Sequence, residues 1–262
     1  MRVLITGGTG VLGRELAKRL RDRAEVRILT RSHRAEPGFV RGDLETGESL
    51  AEAIAGVDAI AHCASAVDYR RPWRDVAQTR RLLEALGDAR PHLVYVSIVG
   101  ADKVPVGFLR AKLESEQVIE ASGSAWTVLR ATEFHDLILR FLTPMARGPV
   151  AVVPRGALLQ PVEVGEVADR VAGLVMGPPA GRVRDLGGPQ VVPMEELMRT
   201  YLKVAGRRRR VLAIPLPGRL GAIAGVGDDL VAADGDRGEM TFEEYLRSRT
   251  GVDGSIAHRY SE

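Results

Sequence analysis

The sequence predicts an α/β fold with a doubly wound parallel sheet and a smaller C-terminal subdomain, and three observations carry that prediction. Strand-like apolar runs alternate with helical patterns over the first two-thirds of the chain, as βαβ units require. Two of those runs, Val3-Leu4-Ile5 and Leu93-Val94-Tyr95-Val96, are continuously apolar, which suits strands covered on both faces. A strand, a glycine turn and a helix follow one another at the start of the chain.

In chain order, strands are expected at Arg2–Thr6, Glu25–Thr30, Phe39–Arg41, Ala59–His62, Leu93–Ser97 and Thr127–Arg130. Helices are expected between them at Val11–Arg21, Ser49–Ala55, Arg74–Leu86 and Leu109–Ala121. The last rests on Leu109, Leu113, Val118 and Ile119, which recur at roughly helical spacing. Beyond Ala131 the alternation loosens. Pro144, Pro149, Pro154, Pro161, Pro178, Pro179, Pro189 and Pro193 punctuate the segment. Helical patterns survive at Val164–Val175, Glu195–Val204 and Phe242–Arg249, with short strands at Arg182–Leu186 and Val211–Ile214. Gly225 to Gly238, rich in Gly and Asp, reads as a loop. Residues 1–130 are therefore expected to form the nucleotide-binding core. Residues 131–262 form a mixed region that completes the sheet and builds a substrate-side subdomain.

A chain of 262 residues buries about three-quarters of its unfolded surface, so neither disulfides nor metals are needed for stability. The single cysteine, Cys63, excludes an internal disulfide framework and fits a reducing compartment. Five histidines and one cysteine show no ligand spacing, so no metal site is expected. A net charge of +3 is too small to imply nucleic acid. The run Arg207 to Arg210 lacks aromatic interleaving and reads as a solvated loop. No apolar run approaches the ~20 residues that cross a bilayer, and no secretory pattern follows Met1. A cytoplasmic protein, monomeric or weakly dimeric and acting on a small molecule, is the expectation.

Gly8, Gly10 and Gly13 satisfy GxGxxG in the strand–turn–helix setting that gives this motif its meaning. Gly7 or Gly8 permits the tight turn, Gly10 lets the backbone approach a pyrophosphate, and Gly13 allows close helix–strand packing. The amides of Val11, Leu12 and Gly13 then face the phosphates with the positive end of the helix dipole. This is a Rossmann-type dinucleotide site. A carboxylate ending the second strand would hold the ribose 2′-hydroxyl and favour NAD(H). Here Thr30 and Arg31 stand in that place, with Arg34 nearby. A guanidinium suits a 2′-phosphate, so NADP(H) is expected over NAD(H). Asp43 and Leu44, after the third strand, are expected at the adenine side, Asp43 either there or capping the next helix.

Thr6-Gly7-x-x-Gly10-x-x-Gly13, Gly42-Asp43-Leu44 and His62-Cys63-Ala64-Ser65 together resemble the extended and atypical short-chain dehydrogenases/reductases, in particular their NmrA-like group. The resemblance places Ala64 and Ser65 beside the cofactor and implies a catalytic serine and a Tyr-x-x-x-Lys pair. Ser97 matches the serine and Lys112 the lysine, which would also hold the nicotinamide ribose. The tyrosine position is Phe108, and a phenyl ring has no exchangeable proton. Loss of a general acid costs about 10²–10⁴-fold in rate. Lys112 could take over the proton. Glu133, His135 and Tyr69 are the other candidates, with His135 counted in the catalytic set. Three functions follow: an NADPH-dependent oxidoreductase on a small carbonyl, enone or quinone-like substrate; a non-catalytic NADP(H) sensor; or a non-redox enzyme for elimination or cyclisation.

Overall fold

The computed structural model describes residues 1–32, 36–65, 71–104, 106–215, 232, 234–251 and 255–261. The chain folds into two compact units. Unit 1 comprises Met1–Arg130 with Gly165–Val183, and unit 2 comprises Ala131–Val164 with Arg184–Glu262.

Unit 1 is built as the alternation predicts. Its elements in the first half of the chain are β1 (Arg2–Thr6), α1 (Val11–Leu20), β2 (Glu25–Thr30), β3 (Phe39–Arg41), α2 (Leu50–Ile54), β4 (Ala59–His62), α3 (Trp73–Glu84), β5 (His92–Ile98), α4 (Gly107–Ala121) and β6 (Trp126–Ala131). The strands run in the order β3-β2-β1-β4-β5-β6. The registered pairs are parallel, with Val3 opposite both Val26 and Ala59. Such a layout needs a crossover between neighbours, and the helices supply it. Val3, Leu4, Ile5, Ile60, Leu93 and Val94 are completely buried, as central strands covered on both faces should be. The order turns at β1, whose neighbours are β2 on one side and β4 on the other. Open α/β sheets bind their ligands at the carboxyl ends of the strands, at such a switch point. Thr6, His62 and Ser97 stand at those ends.

Along the remaining chain come α5 (His135–Met145), β7 (Val150–Pro154), β8 (Leu158–Leu159), α6 (Val164–Met176), β9 (Gly181–Arg182), β10 (Leu186–Gly187), β11 (Val192–Pro193), α7 (Met194–Val204), β12 (Arg210–Ile214), β13 (Asp236–Arg237) and α8 (Phe242–Ser248). Three readings of the sequence change here, one being that β13 lies inside the loop read from Gly225 to Gly238, whose residues 225–231 and 233 fall outside the described residues. The strand expected at Arg182–Leu186 is two short pieces: β9 pairs with Thr127 and Val128 in unit 1, while in unit 2 Leu186 of β10 pairs with Ala131. The proline-marked stretch after Ala131 contains a full helix, α5. Pro144 lies in its last turn, so the lost i→i−4 bond falls at the helix end, which comes one residue later at Met145. The core of unit 2 packs Leu139, Leu142, Leu197, Met198, Tyr201, Tyr245 and Leu246. Helix α8 begins with a capping box: Thr241 Oγ1 accepts from the Glu244 amide at 3.3 Å, and Glu244 Oε2 accepts from the Thr241 amide at 2.8 Å. Arg207 to Arg210 are exposed, as a solvated run requires. Among the described residues no helix is long and apolar enough to cross a membrane.

Candidate cofactor and active site

The glycine loop separates packing from ligand recognition. Gly7 has φ +68°, and a Cβ there would lie 2.6 Å from the Ala64 amide nitrogen and 2.7 Å from its Cα. A Cβ on Gly13 would fall on the Gly7 carbonyl oxygen and 2.5 Å from Gly8 Cα, and one on Gly8 would meet Ile28 Cγ2 at 2.5 Å. Gly7 and Gly13 must be glycine for the chain to fold this way, and a side chain at Gly8 would displace Ile28. Gly10 is different. Its φ of −79° and ψ of 176° suit any L-residue, and an added Cβ meets only the Gly7 carbonyl oxygen, at 3.2 Å. Glycine at this position leaves a cradle that a side chain would fill. Gly10 also caps α1 without a side-chain hydrogen bond, and the first turn of α1 carries no acidic residue. The first-turn amides of a helix have no intrahelical acceptor, so those of Val11, Leu12 and Gly13 are available to an anion. These features fit the pyrophosphate of a dinucleotide.

At the ribose end, Arg31 is exposed and makes no hydrogen bond or ion pair with the described residues. Thr30 Oγ1 accepts from the Ser32 amide at 3.3 Å. Arg34 lies outside the described residues, as does Tyr69. Asp43 Oδ1 accepts from the Glu45 amide at 2.7 Å, closing its own turn well before α2 begins at Leu50. It therefore caps a turn, and the helix-capping alternative is corrected. Leu44 is buried in the core.

A buried polar chain ties the strand ends to the helices. His62 Nδ1 lies 2.7 Å from Thr6 Oγ1, and its Nε2 lies 3.1 Å from Thr79 Oγ1. Burial holds the imidazole down at about 3, with the Lys112 charge pushing the same way, so the ring is neutral. Its tautomer follows from counting protons. The Thr79 hydroxyl donates to the Asp75 carbonyl at 2.9 Å, so it must accept from Nε2–H. Nδ1 is then an acceptor, and Thr6 donates to it. His62 is thereby a strut between β1, β4 and α3, with both nitrogens occupied. Next to it, burial pushes the Cys63 thiol up to about 12, which makes it a poor nucleophile.

Lys112 stands beyond this strut. It is 4% exposed, and its Nζ lies 3.1 Å from Asp75 Oδ2. Nζ is 5.2 Å from the centre of the Tyr95 ring and 5.9 Å from that of Phe108. Burial works against its charge, but Tyr95 and Asp75 outweigh that, so the ammonium is held above the ordinary lysine value. Asp75 Oδ2 also accepts from Ser65 Oγ at 2.9 Å. Ser65 is exposed, and Ala64 is half-buried. One hydroxyl on β5, Ser97 Oγ, is buried without a hydrogen-bond partner among the described residues. An unsatisfied buried hydroxyl is costly, and a bound molecule is one way to satisfy it. Asp75 and Tyr95 went unnoticed in the sequence because neither belongs to a motif. The signal available was only an acidic residue in the first turn of α3 and a polar group in an apolar strand.

Within unit 2, His135 is corrected from the catalytic set to the core. It is fully buried, its Nε2 lies 3.0 Å from the Met240 carbonyl, and its ring stacks on Tyr245 at 5.1 Å. Its neighbour Asp136 accepts from Tyr245 Oη at 2.8 Å and pairs with Arg259 Nη1 at 2.9 Å. Glu133 carries the stronger acid–base signature. Burial pushes its carboxyl up to about 7, and its Oε2 is shielded without a partner among the described residues. No group of residues that could hold a metal occurs among the described residues.

Residues 7–142, more than half the chain, match the model of a family described as NAD(P)H-binding. The chain belongs to the NAD(P)H-binding family. Among its relatives is the (4-alkanoyl-5-oxo-2,5-dihydrofuran-3-yl)methyl phosphate reductase of Streptomyces griseus, 28% identical over 99% of this chain and 92% of that protein. The fold of this NAD(P)H-binding chain is shared with a Staphylococcus aureus nucleoside-diphosphate-sugar epimerase (TM-score 0.76, 15% identity, 94% of this chain and 100% of that one). It is also shared with an Escherichia coli NADPH-dependent quinone oxidoreductase (TM-score 0.74, 17% identity, 92% and 97%). One fold thus serves redox and epimerase proteins, and the activity has to be argued from the site.

Proposed function

We propose that this NAD(P)H-binding chain is an NADPH-dependent oxidoreductase that reduces a small carbonyl, enone or quinone-like compound. The observation that carries this reading is Lys112, a buried and charged amine in the same unit as the glycine loop. The relative from Streptomyces griseus supports it, since its named substrate is a dihydrofuranone, a conjugated carbonyl compound. Arg31, exposed and uncommitted among the described residues, supports the preference for NADPH.

Bound cofactor supplies a hydride. The protein has to orient the acceptor and deliver a proton. Ser97 Oγ, buried and without a partner among the described residues, is available to donate to the carbonyl oxygen. Lys112 Nζ then releases a proton to that oxygen as it gains negative charge, a role for which Phe108 has no proton. A second reading, an NADP(H) sensor without turnover, is favoured by Phe108 alone.

The deciding experiment follows NADPH oxidation across a panel of aldehydes, ketones, enones and quinones. Turnover with at least one class is expected. Lys112→Met should lower that rate by about 10²–10⁴-fold, the range of a lost general acid. Tight NADPH binding with no turnover on any class would move the sensor ahead.

A further inference from the structure

Lys112 is buried, and a buried ammonium needs a partner to stay charged. Helix α4 does not supply one. The partner comes from α3, where Asp75 sits in the first turn with its side chain only 3% exposed. The same oxygen that faces Lys112, Oδ2, also accepts from Ser65, and Ser65 is exposed. Three polar groups thus form a line from solvent to the buried amine: Ser65 Oγ, then 2.9 Å to Asp75 Oδ2, then 3.1 Å to Lys112 Nζ. Of the other groups around Nζ, His62 and Cys63 supply no charge to hold it. His62, at the end of β4, is neutral with both nitrogens bonded. Cys63 is a thiol pushed upwards by burial. Burial raises the Tyr95 phenol on β5, and its oxygen supports the ammonium together with Asp75 without linking it to solvent.

We propose that Asp75 is a positioning residue for Lys112 that holds the ammonium in place and, with Ser65, returns its proton from solvent after each turnover. This rests on reading Lys112 as the group that handles the proton. The step balances. As hydride reaches the acceptor carbon, an N–H bond of Lys112 breaks and an O–H bond forms on the reduced oxygen, leaving a neutral amine. A solvent acid then protonates Ser65 Oγ while that hydroxyl passes its own proton to Asp75 Oδ2. The carboxyl protonates the amine, and Ser65 and Asp75 end as they began. The net transfer is one proton from solvent to Lys112.

The chain has only four lysines, Lys18, Lys103, Lys112 and Lys203, so 13C-labelled lysine NMR can follow the titration of Lys112 directly. In Asp75→Asn, Lys112 should lose its proton at lower pH than in the wild type. The kcat should stay below the wild-type value in mildly acidic buffer, as in Ser65→Ala, because a carboxamide does not pass on the Ser65 proton. It should fall by at least about tenfold in alkaline buffer, because a neutral amine has no proton to give. KM should stay within about threefold, since a positioning residue acts through Lys112. Asp75→Glu keeps the charge, guards against misfolding of the asparagine variant, and should restore the Lys112 titration. Ser65→Ala should lower kcat and leave that titration in place. An unmoved Lys112 titration in Asp75→Asn overturns the role of Asp75 while leaving that of Lys112 standing. Undiminished turnover in Lys112→Met overturns the reading of Lys112, and the relay falls with it.

Discussion

Gly10 tests the cofactor site in its cleanest form, because a methyl group there requires only a shift of a few tenths of an ångström at the Gly7 carbonyl. The backbone is in an ordinary extended conformation, and the one close neighbour of an added Cβ is the Gly7 carbonyl oxygen at 3.2 Å. Alanine is a poorer helix N-cap than glycine, at a cost of up to about 1 kcal/mol. It also restricts the unfolded chain, which returns about 0.4–1 kcal/mol. Gly10→Ala should therefore fold with its stability within about 1 kcal/mol of wild type. NADPH at about a hundred times its Kd stabilises the wild type by about 2.7 kcal/mol. For a protein of this size that is a rise in Tm of roughly 5–10 °C. If the methyl fills the pyrophosphate cradle and weakens binding about a hundredfold, the same NADPH concentration yields only about 0.4 kcal/mol, or roughly 1 °C. Gly13→Ala is the contrasting control: its Cβ falls on backbone atoms, so it should lose stability with or without cofactor. Thermal melts of the three proteins, with and without NADPH, decide the matter. A Gly10→Ala protein that keeps the full cofactor shift would refute the phosphate site.

Three further outcomes are expected. Arg31→Ala should weaken NADPH binding by roughly tenfold, the value of one exposed charge-assisted contact, and leave NADH unchanged; equal losses for both cofactors would exclude a 2′-phosphate contact. Phe108→Tyr places a phenol close to Nζ, 5.9 Å from the present ring centre, and should raise reduction of simple carbonyls by at least about tenfold; an unchanged rate would show that the missing phenol does not limit turnover. Glu133→Gln should stabilise the protein at about pH 8 and have little effect near pH 4. The folded carboxyl is raised to about 7, so its stabilising share is complete below the ordinary value near 4.5 and is lost as pH rises through 7. The loss can reach roughly 3 kcal/mol, and a pH-independent difference in urea melts would contradict it.

The sequence alone determined the parts of this protein whose physics is local. Strands β1, β4 and β5 are built on short apolar runs and α1 and α3 on amphipathic stretches, so these elements follow the local composition. The glycine loop was legible for the same reason, since turn, phosphate approach and helix packing all fall between Gly7 and Gly13. Lys112 and Phe108 could be read as a pair because they share one helix face. What went unread lay in contacts between distant segments. Pro144 marks the end of α5, and the helix before it went unread because it rests on the packing of Ile138, Leu139 and Leu142. His135 looked chemical, and only its stacking on Tyr245 and bond to Met240 make it core. Asp75 and Lys112 belong to different helices, with the whole of β5 between them in the chain. Only the packing of α3 beside α4 brings them within 3.1 Å, and it is burial, a property of the tertiary structure, that makes that contact decide a charge.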